Sequence, residues 1–153
     1  MTKPQALSPL AVFIENEEKV AQLYDIYAQT FSAQRKMWAL LAKEEGRHAK
    51  VLRDLENKLA VNEQFATVRV HGWKILLYVS DFIDEQLAMA QAGKIKAKEA
   101  IEVGLSLERS MIEKKSFDVF LPLHAEMKGA LEKLNRETDG HALRLEKALA
   151  TLT

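Results

Sequence analysis

Two stretches of this chain carry the same arrangement of carboxylate and imidazole side chains, and that repeat restricts the fold more than any other feature. The first runs Glu17, Tyr24, then Glu44-Glu45-Gly46-Arg47-His48; the second runs Glu108, then Glu137-Thr138-Asp139-Gly140-His141. Glu17 maps onto Glu108, and Glu45-x-x-His48-Ala49 onto Thr138-x-x-His141-Ala142, at offsets of 91 and 93 residues. Side chains three apart on a helix share a face, so Glu45 and His48 project together. One member is missing: Thr138 stands where the repeat would put a partner glutamate for His141. The near-equal offsets read as a duplicated helical hairpin.

The rest of the sequence agrees with helices. Only 6 Gly and 3 Pro occur in 153 residues, and good helix formers dominate. Ser8-Pro9 is a helix start, and the apolar spacing from Leu10 predicts a helix to about Phe31. Ser32 is placed to cap a second helix, which fades near Asn62. Ala66 to His71 has an extended character, and Gly72 ends it. Trp73, Leu76, Leu77, Ser80, Ile83 and Leu87 then fit one face of a further helix, which Gly93 closes. A third long helix is expected from about Lys96 to Ser116, and a fourth, after Pro122, from about Leu123 to Leu149. The expected architecture is all-α. One domain over 1–153 forms a four-helix bundle of two antiparallel hairpins (about 9–61 and 97–150), joined by a long, partly helical crossover at about 62–96.

The hairpin also acts as a ruler. Glu17 and Glu45 are equally far from residue 31, at the turn Phe31-Ser32, so in an antiparallel pair they lie level. Glu108 and Thr138 are likewise equally far from residue 123, beside Pro122. Both constellations sit roughly 20 Å from a turn at the helical rise. Packed side by side, the hairpins bring all of these groups into one slab of the interior. Burying Glu17, Glu45 and Glu108 unpaired costs several kcal/mol per charge, in order of magnitude. Metal ions offset that cost, and carboxylate with imidazole suits iron, manganese or zinc. Tyr24, two turns after Glu17 on the same face, is placed to hydrogen-bond a ligand carboxylate or simply to pack in the core.

Composition removes several alternatives. Lys+Arg and Asp+Glu are both 22, so the chain lacks the basic surplus that phosphate binding demands, and nucleic acid is not expected as a partner. With 0 Cys, thiolate metal sites, iron–sulfur clusters and disulfides are excluded. The first residues do not read as a signal peptide, and Ile75 to Val79 is far too short for a membrane span. The expectation is a cytoplasmic protein without a membrane partner.

Three segments carry a resemblance to a known family. Glu17-x-x-Val20-x-x-Leu23-Tyr24-x-x-Tyr27-Ala28, Leu41-Ala42-Lys43-Glu44-Glu45-x-x-His48-Ala49, and Ala100-Ile101-Glu102 through Leu107-Glu108 resemble the helix motifs of the ferritin-like superfamily, specifically its rubrerythrin-like branch. The resemblance covers nearly all of the chain except the crossover. It implies a ferritin-like di-iron carboxylate bundle, with Glu17, Glu45 and His48 at one metal and Glu108 and His141 at a second. Three departures accompany it. Thr138 replaces a bridging glutamate, Lys114-Lys115 stand where an aromatic-Tyr pair is expected, and no cysteine-rich rubredoxin module follows. Glu137, four residues before His141, is a candidate substitute ligand, with Thr138 itself beside the metal rather than on it.

The implied function is that of a non-haem iron protein of peroxidase or ferroxidase type. It would reduce peroxide or dioxygen, or oxidise ferrous iron, with one or two iron ions and a separate electron donor, as a homodimer. The alternative is a structural or protein-interaction bundle whose site has decayed or become mononuclear at Thr138. His71 and His124 read as surface histidines, Trp38 and Trp73 as core or dimer-contact aromatics, and Met37, Met89, Met111 and Met127 as core fillers.

Overall fold

A computed structural model describes residues 9–58, 66–68, 72–114, 120–122 and 125–152. Helix α1 spans Pro9–Thr30, α2 Arg35–Lys58, α3 Gly72–Gln91, α4 Ala97–Lys114 and α5 Ala125–Thr151. Two short strands, β1 (Ala66–Val68) and β2 (Phe120–Pro122), pair antiparallel with Thr67 opposite Leu121. Helix α1 packs along α2 and α3, α4 along α5, and α2 against α5. Helix therefore dominates, and the long crossover contains α3. Among the described residues no helix is long and apolar enough to cross a membrane.

Local chemistry explains the breaks. Pro9 opens α1, where its missing N–H falls on a donor that has no intrahelical partner anyway. Ser8, His71, Lys115 and His124 lie outside the described residues. Ser32 does not cap α2. It begins a 3-10 turn, Ser32–Gln34, that runs straight into α2, and the residue ahead of that turn, extended Phe31, makes no side-chain capping bond. The chain reverses by the 3-10 turn itself, with the Gln34 N–H donating to the Phe31 carbonyl at 3.1 Å, so no separate helix start remains for Ser32. At the end of α3, Gly93 takes φ +68 while Lys94 N–H donates to Met89 O at 3.0 Å. That closure needs the left-handed conformation that glycine adopts without strain.

The extended character expected over 66–71 is realised at 66–68, but its partner strand at Phe120–Pro122 falls where only a connection is expected. Helix α3 also differs from its sequence reading. Its buried stripe is Gly72, Leu76, Ile83, Gln86 and Ala90, whereas Trp73 and Leu77 are 39% and 42% exposed. Its main neighbour is α1, and only a narrow stripe is covered. Of the two tryptophans, Trp38 alone is core.

The apolar interior is divided in two. One cluster contains Val20, Leu23, Tyr24, Tyr27, Trp38, Leu41, Ile101, Leu105, Leu107 and Leu145. The other contains Leu10, Phe13, Ile14, Leu52, Met127, Leu131 and Leu134. Glu17, Glu45, His48, Thr138 and His141 fall between the two clusters along their own helices, and Glu108 directly follows the first cluster on α4. The helices thus enclose an apolar interior interrupted by one buried polar layer.

Candidate metal centre

Helices α1, α2, α4 and α5 each send a titratable side chain into this layer. Glu17 is 3% exposed, and Glu45, His48, Glu108 and His141 are each 1% exposed. They form two groups, Glu17 with Glu45 and His48, and Glu45 with Glu108 and His141. Within each group one potential ligand atom per residue lies within 4.8 Å of the others. Glu45 belongs to both. Its Oε2 lies 3.4 Å from His48 Nδ1, and its Oε1 lies 2.8 Å from His141 Nδ1. One carboxylate therefore faces both imidazoles, as a bridging ligand would. Glu17 Oε2 lies 3.8 Å from His48 Nδ1, and Glu108 Oε1 lies 3.5 Å from His141 Nδ1. The two imidazole rings stack with centroids 5.4 Å apart.

The far side of each imidazole is held by a carboxylate from the other histidine's helix. His48 Nε2 lies 2.7 Å from Glu137 Oε2, and His141 Nε2 lies 2.7 Å from Glu44 Oε2. Arg47 in turn donates to Glu137 at 2.6 Å, and Arg144 donates to Glu44 at 3.0 Å. An imidazole that donates its Nε2–H to a carboxylate presents the Nδ1 lone pair inward, the arrangement that fixes a metal-binding tautomer. Burial opposes ionisation of Glu44 and Glu137, but their arginine and histidine partners outweigh it and hold both carboxyls below the usual range.

These contacts revise two of the sequence expectations. Glu137 lies outside both groups. Its carboxylate reaches across to His48 rather than turning toward His141 on its own helix, because Glu44 already fills that side of His141. The contact of Glu44 with His141 was not anticipated from the sequence. The signal for it was present, since Glu44 and Glu137 occupy the same place in the repeat, 93 residues apart, each one residue before Glu45 or Thr138. Tyr24 donates from its hydroxyl to Glu108 Oε1 at 2.8 Å. Thr138 is 5% exposed, and its hydroxyl donates back to the Leu134 carbonyl at 2.8 Å.

Glu17 Oε2, Glu45 Oε2 and Glu108 Oε2 are buried without a hydrogen-bond partner. A buried carboxylate oxygen left unsatisfied costs more than an ordinary hydrogen bond returns. Three such atoms converging beside two oriented imidazoles fit divalent cations in the gap. Without metal, protons do part of that work. Burial and the neighbouring charge of Glu45 push the Glu17 carboxyl well above its ordinary value. Burial pulls the histidines down, but the facing carboxylates overcome it and raise His48 to about 11 and His141 to about 10.

The pH dependence follows from these directions. Both histidines hold protons in the folded, metal-free protein that the unfolded chain releases near pH ~6.5. Their stabilisation is complete below that pH and is lost as pH rises through about 10 to 11. The metal-free protein is expected to melt at progressively lower temperature from pH ~6.5 upward. Zinc binding near pH 7 is expected to release at least about two protons, one from each imidazole, with the raised Glu17 carboxyl adding to that number. Calorimetry in buffers of different ionisation enthalpy measures that number, and release of none would contradict the assigned protonation.

Comparison of the chain with protein-family models, with curated proteins and with solved structures found no match in any of the three.

Proposed function

We propose that this chain is a ferritin-like, rubrerythrin-like metal protein that holds two divalent ions, iron foremost, and couples ferrous oxidation to the reduction of peroxide or dioxygen. The observation carrying this reading is that three buried carboxylate oxygens without a hydrogen bond and two Nδ1 atoms share one buried layer. Glu17, Glu45 and His48 would hold one ion, with Glu45, Glu108 and His141 holding the other. When bound, a ferrous pair supplies the two electrons that, with two protons, convert hydrogen peroxide into two molecules of water.

The remaining roles belong to the chain. Glu44 and Glu137 grip the Nε2 atoms and keep both imidazoles aimed inward. Tyr24 keeps its proton, because burial and the charge of Glu108 push its phenol far up, and it pins the Glu108 carboxylate at Oε1. The apolar clusters on either side exclude bulk water, which strengthens each electrostatic contact between them. Electrons for repeated turnover come from iron itself or from a separate donor.

Metal analysis after purification from iron-supplemented cells tests the reading, followed by ferrous oxidation kinetics with dioxygen and with peroxide. About two irons per chain, oxidised rapidly by either oxidant, are expected. About one iron per chain would make the site mononuclear. No bound metal would leave a helical interaction module.

A further inference from the structure

The gap at Thr138 has a chemical consequence of its own. Two divalent ions bring four positive charges, and the three carboxylates that face them, Glu17, Glu45 and Glu108, return three negative ones. Glu44 and Glu137 do not alter the count, because Arg144 and Arg47 neutralise them in turn. The loaded layer therefore carries one uncompensated positive charge between two apolar clusters, a setting in which net charge is costly.

The missing charge has a location. Thr138 is the repeat equivalent of Glu45, which spans both histidines with its two oxygens. It is buried at 5% exposure, on the same face as His141 three residues on. Its side chain stops short of where a glutamate carboxylate would reach, and its hydroxyl is committed to the Leu134 carbonyl. The helix thus satisfies Thr138 without calling on the layer, so nothing from α5 at that position balances Glu45. Meanwhile Glu17 Oε2, Glu45 Oε2 and Glu108 Oε2 are nine-tenths or more buried and accept no hydrogen bond, the first two facing only His48 Nδ1 at 3.8 and 3.4 Å.

From this geometry we infer that the metal-loaded layer binds a small monoanionic carboxylate, such as formate or acetate, beside Thr138, which completes the metal centre in place of the absent glutamate. The inference rests on the metal-binding reading above. Thr138 and a formate ion together reproduce the reach, charge and two oxygens of one glutamate. The ion would supply the negative charge that the three carboxylates leave uncompensated. Occupancy of the second metal position then depends on the concentration of a free anion, a property that a full set of glutamates does not have.

Zinc titration of the metal-free chain by calorimetry, in sodium formate and in sodium chloride at equal ionic strength, tests this without recourse to turnover. Formate is expected to tighten the second zinc ion about tenfold over chloride, comparable with other changes around a metal ligand. Thr138→Glu is expected to bind both ions tightly with no response to formate. Thr138→Val removes the hydroxyl and keeps the shape, so it should retain the formate response and serves as the folded variant if the glutamate is not tolerated. Two zinc ions bound with equal affinity in formate and chloride would overturn the anion site and leave the metal centre standing. A formate response that Thr138→Val abolishes would also overturn it, by making the hydroxyl the ligand. No zinc binding in either salt would overturn both readings.

Discussion

Glu45→Gln is expected to weaken zinc binding at both positions at once, by about 100-fold or more. The expectation follows from the two oxygens of Glu45, one beside each imidazole, which no other side chain among the described residues matches. Partners that only orient a ligand are worth about 10- to 100-fold in metal affinity, and a shared direct ligand should exceed that range. Glu17→Gln and Glu108→Gln provide the contrast, since each residue belongs to one group and should impair one position. Glu45→Ala goes further. In the metal-free protein it strips a carboxylate from two protonated, buried histidines, and breaking such a pair costs about 3–5 kcal/mol. For a chain of this size that is a fall in melting temperature of roughly 10 °C. Zinc titrations and thermal melts in chelator separate the two effects. Binding of two zinc ions by Glu45→Gln at wild-type affinity would remove Glu45 from the bridging position and the proposed centre with it.

The parts of this molecule that could be read from sequence are those governed by helical periodicity. Equal distances of Glu17 and Glu45 from the Phe31 turn already placed them level, and they do meet in one buried group. The four long helices begin and end within a few residues of where apolar spacing, Pro9 and Pro122 set them. What could not be read depends on partners distant in sequence. Whether Glu137 turns toward His141 on its own helix or across to His48 is decided by Glu44, 93 residues earlier, occupying the other imidazole. Phe120–Pro122 has no strand pattern of its own and is extended because Ala66–Val68 lies beside it. Trp73 and Leu77 fit a helical face by spacing, yet only one narrow stripe of α3 meets a neighbour. Spacing gives each helix its apolar side. It does not say how much of that side another helix will cover.

The same dependence on neighbours makes Trp38 the most consequential apolar side chain beside the site. It is 0% exposed, with its ring 5.0 Å from Tyr24 and 4.9 Å from Tyr27. Gly104 lets α4 close on it, since a Cβ there would stand 3.1 Å from the Trp38 ring and from Leu145. Trp38 thereby supports Tyr24, whose hydroxyl holds Glu108. Trp38→Ala is expected to destabilise the fold by about 3–5 kcal/mol, the range for emptying a core of a large aromatic. Denaturant unfolding reads this directly. The effect should reach the site as well, with weaker zinc binding at the Glu108 position and little change at the Glu17 position. Trp38→Phe is the informative partner. The indole Nε1 is buried with no hydrogen-bond partner, so losing it relieves a penalty of about 1–3 kcal/mol that offsets the smaller ring. That variant should fall within about 1 kcal/mol of wild type. If Trp38→Ala cost less than about 1 kcal/mol, the aromatic cluster would not be the support of Tyr24, and the position of Glu108 would have to rest on α4 alone.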